Sequence, residues 1–185
     1  MRKVFLVTIL LITVFLCSCS SSKADDKTSS QPAELSVQVG TFTDADLVFV
    51  YEGVSYPLNS DSAPLLAAFG SDYKETKAPS CAYVGEDKMF EYGFATIYTY
   101  PLNGKDLIDE IDITKDGYKT NKGIGPGDTL EDVKKQYGDQ GFVQDDMYVF
   151  VKTGDINDLK SPKLYFEIAD NLVTLISYYA ASNVQ

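Results

Sequence analysis

The sequence predicts an α+β fold: one antiparallel sheet of about six to eight strands with two short helices on one face, built from a duplicated helix-β-β-β unit. Three observations predict it. From Ser36 onward, short runs rich in Tyr, Phe, Val, Ile and Thr are separated by Gly, Asp and Asn, which is the pattern of strands and turns. Two segments break that pattern with helical spacing. These two segments share a plan and lie about 68 residues apart, the signature of an internal repeat.

In chain order, Asp46–Glu52 reads as a strand that precedes the first helix and joins the same sheet. Gly53–Gly70 then gives a Gly-plus-β-branched entry, a polar turn, a short helix and a closing Phe69-Gly70. Strand-like runs follow at about 80–84, 89–100 and 107–114. The second helix lies in Gly123–Gly138. Thr129 caps it with Asp132 three residues on, acids fill the first turn, lysines sit near the last, and Gly138 closes it in the left-handed region. Leu130, Val133 and Tyr137 fall on one face of about two turns. Phe69-Gly70 superposes on Tyr137-Gly138, and Leu65 on Val133. Three more runs follow, at about 146–152, 163–169 and 172–179. The halves are 41–118 and 119–185, and they pack as one body because ~70 residues with one short helix bury a sheet face poorly.

The N-terminus carries an address. Arg2-Lys3, the apolar run Val4–Cys17 and a small-residue exit have the layout of a secretory signal, and the run is shorter than the ~20 residues of a bilayer span. The exit Leu16-Cys17-Ser18-Cys19 resembles the bacterial lipobox, which implies removal of 1–18 and a diacylglyceryl group on the Cys19 thiol. The alternative is an ordinary signal cut after Ser22-Lys23-Ala24. Residues 19–40 are Ser-rich without apolar periodicity and read as a flexible tether. The expected location is the extracytoplasmic face of the cell membrane, held by lipid.

Composition excludes much chemistry. Beyond residue 18 there are 14 Lys, no Arg and 27 Asp plus Glu, a net charge of −13, which disfavours nucleic acid and anionic lipid surfaces. The chain has no His, which closes Ser-His-Asp and Cys-His catalysis and most zinc sites. With Cys19 lipidated, Cys81 is the one remaining thiol, so no intrachain disulfide forms. Cys81 lies in the run Ser80–Val84 and reads as a small buried hydrophobe, with a reactive thiol as the alternative.

Gly123-x-Gly125-x-Gly127 lacks the spacing of a dinucleotide fingerprint and the Lys-Ser/Thr pair of a P-loop, and Pro126 removes an amide, so it reads as a tight turn. Asp145-Asp146 and Asp155-Ile156-Asn157-Asp158 read as solvated loop acids. The second lacks the Gly and Glu of an EF-hand loop, leaving only an irregular calcium site as the alternative. No carboxylate pair can be nominated among 27 acids, and the lack of Trp weighs against a carbohydrate-cleft enzyme. The expectation is a protein that is not an enzyme and has no cofactor or resident metal.

The aromatic stripe carries the functional reading. In the 89–100 run, Phe90, Tyr92, Phe94, Tyr98 and Tyr100 share one face, and Glu91, Gly93, Ala95, Ile97 and Thr99 the other. Helices over the first face make the stripe core, the preferred reading; helices over the Ile97 face leave a tyrosine-rich surface suited to protein or glycan contacts. Tyr92, Tyr98, Tyr100 and Tyr165 are the candidate binding residues. Tyr165 is expected to be exposed, opposite the apolar Leu164-Phe166-Ile168 face of its strand.

Ser80–Gly93, Ile97–Pro101 and Thr120–Gly138 together resemble a group of uncharacterised lipoproteins of Gram-positive anaerobes in which T-x-x-G-I-x-x-G-D-T-x-x-D-V-x-x-x-Y-G recurs. The second half also resembles the repeat of the β-lactamase-inhibitor-protein-like fold, shared with the small outer-membrane assembly (BamE-like) lipoproteins. The resemblance covers roughly 45–180 and implies tandem repeats of that fold. It transfers no contact residues, because the fold hosts inhibitors, assembly factors and other roles. The functional expectation is a non-catalytic, membrane-anchored extracytoplasmic lipoprotein that binds an envelope or secreted protein as adaptor or inhibitor. The alternative is a module for envelope glycan or polysaccharide that uses surface tyrosines.

Overall fold

The computed structural model describes residues 39–182. The expected signal peptide at 1–18, Cys19 and most of the expected tether at 19–40 lie outside the described residues. Val39 and Gly40 form a turn, and the Gly40 amide donates to the Gln136 carbonyl at 2.8 Å.

A 3₁₀ turn, Asp44–Leu47, leads into a hairpin of β1 (Val48–Tyr51) and β2 (Val54–Pro57). The first helix, α1, is Ala63–Phe69; β3 (Lys74–Pro79), β4 (Glu86–Glu91), β5 (Ala95–Leu102) and β6 (Lys105–Ile113) follow it. Then come α2 (Leu130–Tyr137), β7 (Phe142–Gln144), β8 (Met147–Val151), β9 (Lys163–Ala169) and β10 (Leu172–Tyr179). Strands β3 to β10 form one eight-stranded sheet in the order β3-β4-β5-β6-β10-β9-β8-β7. Every pairing in it is antiparallel. Two four-stranded meanders thus meet where β6 pairs with β10, Ile113 opposite Ile176 and Ile111 opposite Tyr178. Each helix precedes four strands where the sequence reading expects three.

Alternation on each central strand sends one set of side chains into a single buried cluster. Ile97 of β5, Ile111 of β6, Ile176 of β10 and Phe166 of β9 belong to it and are closed to solvent. Leu65 from α1, with Val133 and Tyr137 from α2, complete the same cluster, so both helices serve the same sheet face. The Tyr137 ring lies 5.4 Å from that of Phe150 and 5.3 Å from that of Phe166. Each fully buried aliphatic or aromatic side chain contributes roughly 1.5–3 kcal/mol. Buried phenols keep partners: the Tyr137 hydroxyl donates to Thr120 Oγ1 at 2.7 Å, and those of Tyr118 and Tyr178 are 3.1 Å apart.

The second helix is capped as its sequence dictates. The Asp132 amide donates to Thr129 Oγ1 at 3.1 Å, the Thr129 amide returns to Asp132 Oδ2 at 3.2 Å, and Gly138 closes the helix at φ 88°. The glycine-rich approach is a turn whose amides are consumed internally. Gly125 N donates to Asp128 Oδ2 at 2.7 Å and Gly127 N to the Val173 carbonyl at 2.8 Å, which leaves no cradle for a phosphate.

Four expectations need correction. The 46–52 run does not join the main sheet. Glu52 and Gly53, at φ 50° and 78°, close a two-residue hairpin that pairs β1 with β2 in a sheet of their own. The hairpin lies over the core, with Phe49 5.2 Å from the Tyr118 ring and 5.5 Å from that of Tyr178. Second, 80–84 is not a strand. Ser80 Oγ accepts the amides of Ala82 at 3.4 Å and Tyr83 at 3.2 Å, bending the chain, and Cys81 is exposed instead of buried. Third, the first of the strands expected after α1 lies earlier than 80–84, as β3, a fully exposed edge whose Lys74 pairs across to Glu91 at 2.8 Å. Fourth, the 89–100 run is two strands. The chain turns through Tyr92–Phe94, with the Tyr92 amide donating to the Ala95 carbonyl at 2.8 Å, and the alternation restarts.

Among the described residues, no helix is long and apolar enough to cross a membrane.

Candidate functional site

With both helices on one side, the other sheet face is left to polar and aromatic residues that alternate with the core positions. On β6 these are Glu110 and Asp112, on β10 Ser177 and Tyr179, and on β9 Lys163, Tyr165 and Glu167. Register brings them together. Tyr179 stands opposite both Glu110 and Lys163, and Ser177 opposite both Asp112 and Tyr165. All of them but Glu167 line a groove of about 750 Å³, whose walls include Met147 and Leu175 on the sheet and Ile156 and Leu159 on the β8–β9 loop. That volume lies within the ~300–1,000 Å³ of small-ligand pockets.

At the groove floor two carboxyls share one environment. Burial pushes the Glu110 carboxyl up to about 7, and the charge of Asp112 adds to the effect. Burial raises Asp112 as well, with Glu167 adding to it and hydrogen bonds from Ser177 and Glu110 opposing it. The Ser177 hydroxyl donates to Glu110 Oε1 at 2.7 Å. Asp112 Oδ1 is shut off from solvent without a hydrogen-bond partner. Burial and their mutual repulsion thus favour a pair that shares a proton at a higher pH than ordinary carboxyls do.

Lys163 is buried, and its ammonium donates to the carbonyls of Asp158 at 3.0 Å and Ser161 at 3.1 Å, fastening the β8–β9 loop that forms one groove wall. It also lies 6.0 Å from the centroid of the Tyr179 ring. Burial lowers its pKa. The Tyr165 and Tyr179 rings meet edge to face at 6.3 Å, and burial carries the Tyr165 phenol to about 12.

The structure separates the four candidate tyrosines. Tyr165 lines the groove, half-buried. Tyr98 pairs with Glu110 on the same face, and burial and the nearby Asp112 raise its pKa. Tyr92 packs against the helix-side core, its ring 5.2 Å from Phe69 and its hydroxyl donating to the Gly70 carbonyl at 3.3 Å. Tyr100 is buried, its hydroxyl donating to Asn59 Oδ1 at 2.9 Å and its ring stacked 4.8 Å from Tyr83. Neither the core reading of the stripe nor the open-surface alternative holds for all four: Tyr98 and Tyr165 are half-buried on the open face, and Tyr92 and Tyr100 are packed away. Glu110, Asp112, Ser177, Tyr179 and Lys163 were not foreseen. The signal for the first two is the alternation Glu110-Ile111-Asp112-Ile113, acids on one face and isoleucines on the other.

Loop acids considered for calcium cap their own turns. Asp155 Oδ1 accepts the Asn157 amide at 2.9 Å, and Asp158 Oδ1 accepts that of Lys160 at 3.1 Å. Among the described residues, no group of three His, Cys, Asp or Glu is arranged to hold a metal ion.

No protein-family model matches the chain, and neither the curated proteins nor the solved structures give a significant match.

Proposed function

We propose that this chain is a non-catalytic lipoprotein, anchored through Cys19 on the extracytoplasmic face of the membrane, that binds an envelope or secreted protein through the open face of its sheet. The observation that carries the reading is the sheet face that no described helix covers, with its groove of about 750 Å³, where Tyr165 and Tyr179 offer contact area at low entropy cost. The lipobox supplies the anchor, the Ser-rich tether supplies reach, and the histidine-free composition supports a binding role over catalysis. We also infer that the two halves descend from one helix-plus-strands unit. The support is that α1 and α2 each precede an antiparallel four-stranded meander and that the last strands of both halves pair at the centre.

The edge-to-face tyrosine pair in the groove favours one second reading, a glycan laid on the Tyr165 and Tyr179 rings. Titration of the full chain with soluble envelope oligosaccharides separates the two. Quenching of tyrosine fluorescence that Tyr165→Ala abolishes supports the glycan reading. Capture of one dominant protein by cross-linking in the cell envelope, lost in the same variant, supports the protein-binding reading.

A further inference from the structure

The groove's walls are mostly apolar, with Gln144 and Asn157 among them, and its floor is acidic. Glu110 and Asp112 are faced by Tyr98 from β5, by Asp109 and each other on β6, by Ser177 and Tyr179 from β10, and by Lys163, Tyr165 and Glu167 from β9. Glu91 of β4 adds its charge beyond Tyr98. Lys163 is the cation of this set, and its ammonium is committed to the carbonyls of Asp158 and Ser161. Among the described residues, no lysine forms an ion pair with Glu110 or Asp112. Asp112 Oδ1 is closed to solvent without a hydrogen-bond partner, so nothing on that side of the carboxyl offsets its charge.

We propose that the groove takes a basic, extended segment of a protein partner, seating a lysine or arginine side chain against Glu110 and Asp112 and its apolar neighbours between Met147, Leu175, Ile156 and Leu159. This assignment rests on the reading that the open face is the docking surface, and it names the partner's chemistry. Charge complementarity selects the cation: it offsets the burial and mutual repulsion that raise both carboxyls. An extended peptide also lays methylene stems on Met147, Leu175, Ile156 and Leu159 and presents its backbone to Gln144 and Asn157, neither of which a bare polyamine matches. Binding is then linked to proton release, because the seated cation favours the doubly ionised pair.

The test is calorimetric titration of the full chain with capped octalysine, with octaglutamate and spermine as comparators, at about 0.15 M salt, where exposed charges are screened beyond ~8 Å. Titrations at about pH 6 and pH 8 in buffers of different ionisation enthalpy count the proton. The expected result is octalysine binding that tightens about tenfold over that span and releases close to one proton at pH 6 and little at pH 8, with spermine at least tenfold weaker and octaglutamate silent. Glu110→Gln with Asp112→Asn is expected to weaken octalysine at least tenfold and remove its pH dependence. Glu131→Gln with Asp72→Asn, an equal charge change at two exposed acids elsewhere, is expected to leave both intact. Equal weakening by the two double variants, spermine as tight as octalysine, or binding without proton release at pH 6 overturns the proposal. Proton counting on the unmodified chain holds even where a variant fails to fold. Partner capture through the groove with no octalysine binding sinks this inference alone, whereas proton-linked octalysine binding with no protein captured sinks the protein-binding reading.

Discussion

Lys122 and Asp46 form an ion pair closed to solvent: Nζ lies 2.8 Å from Oδ2, with the two side chains 0% and 1% exposed. The lysine also donates to the Thr41 carbonyl and lies 4.7 Å from the centroid of the Tyr137 ring. The aspartate accepts the Thr43 amide at 2.7 Å and the Asn121 side-chain amide at 3.3 Å. The pair thereby ties the segment that enters the fold to the loop before α2. Removing one partner of such a pair is costly because the other is left buried and charged. Asp46→Ala is expected to lower stability by about 3–5 kcal/mol, read as a reduced urea midpoint. Lys122→Met is expected to cost less, since Asp46 retains the donors of Thr43 and Asn121.

The cap of α2 gives a smaller effect. Thr129→Ala removes the acceptor for the Asp132 amide and is expected to cost about 1 kcal/mol, while Thr129→Ser keeps the hydroxyl and most of the stability. Paired thermal melts of the two variants check this.

Stability should fall as pH rises from about 4.5 to about 7. Glu110 is raised from 4.5 to about 7 in the folded chain, so across that window the native state holds a proton that the unfolded chain has lost. Asp109 and Asp112 are raised too, which adds to the same trend from lower pH. Glu110→Gln is expected to flatten the dependence and to raise stability near pH 8 by about 2 kcal/mol, measured by urea unfolding across pH. A stability that climbs through this range would contradict the buried acid pair.

Anchoring is tested at Cys19. Cys19→Ser is expected to move the protein from the detergent phase to the aqueous phase of a partition assay, since two acyl chains supply the hold. An unchanged partition would rule out the lipobox reading.

Legibility followed burial. Strands β9 and β10 match their predicted spans because Leu164, Phe166 and Ile168 alternate cleanly with polar neighbours, and α2 matches because cap, face and closing glycine agree. Strand β3 was invisible because all six of its residues are exposed, so no alternation marks it. The turn at Tyr92–Phe94 was hidden by aromatic residues on both sides of it, and that single miss reversed the face assigned to Tyr98. The acid pair was readable as alternation on β6, but its meeting with Ser177, 67 residues away, depends on the β6–β10 register, which no local pattern encodes.

The most direct test of the open face as a docking surface places a photo-cross-linking residue at Leu175, within the groove, and separately at Glu131, exposed on α2, in the full chain in its own envelope. Mass spectrometry then identifies what each captures and through which peptide. The account predicts one dominant protein from position 175, joined through a lysine- or arginine-bearing segment, and no such product from position 131. The same products from both positions, or none from position 175, would contradict it.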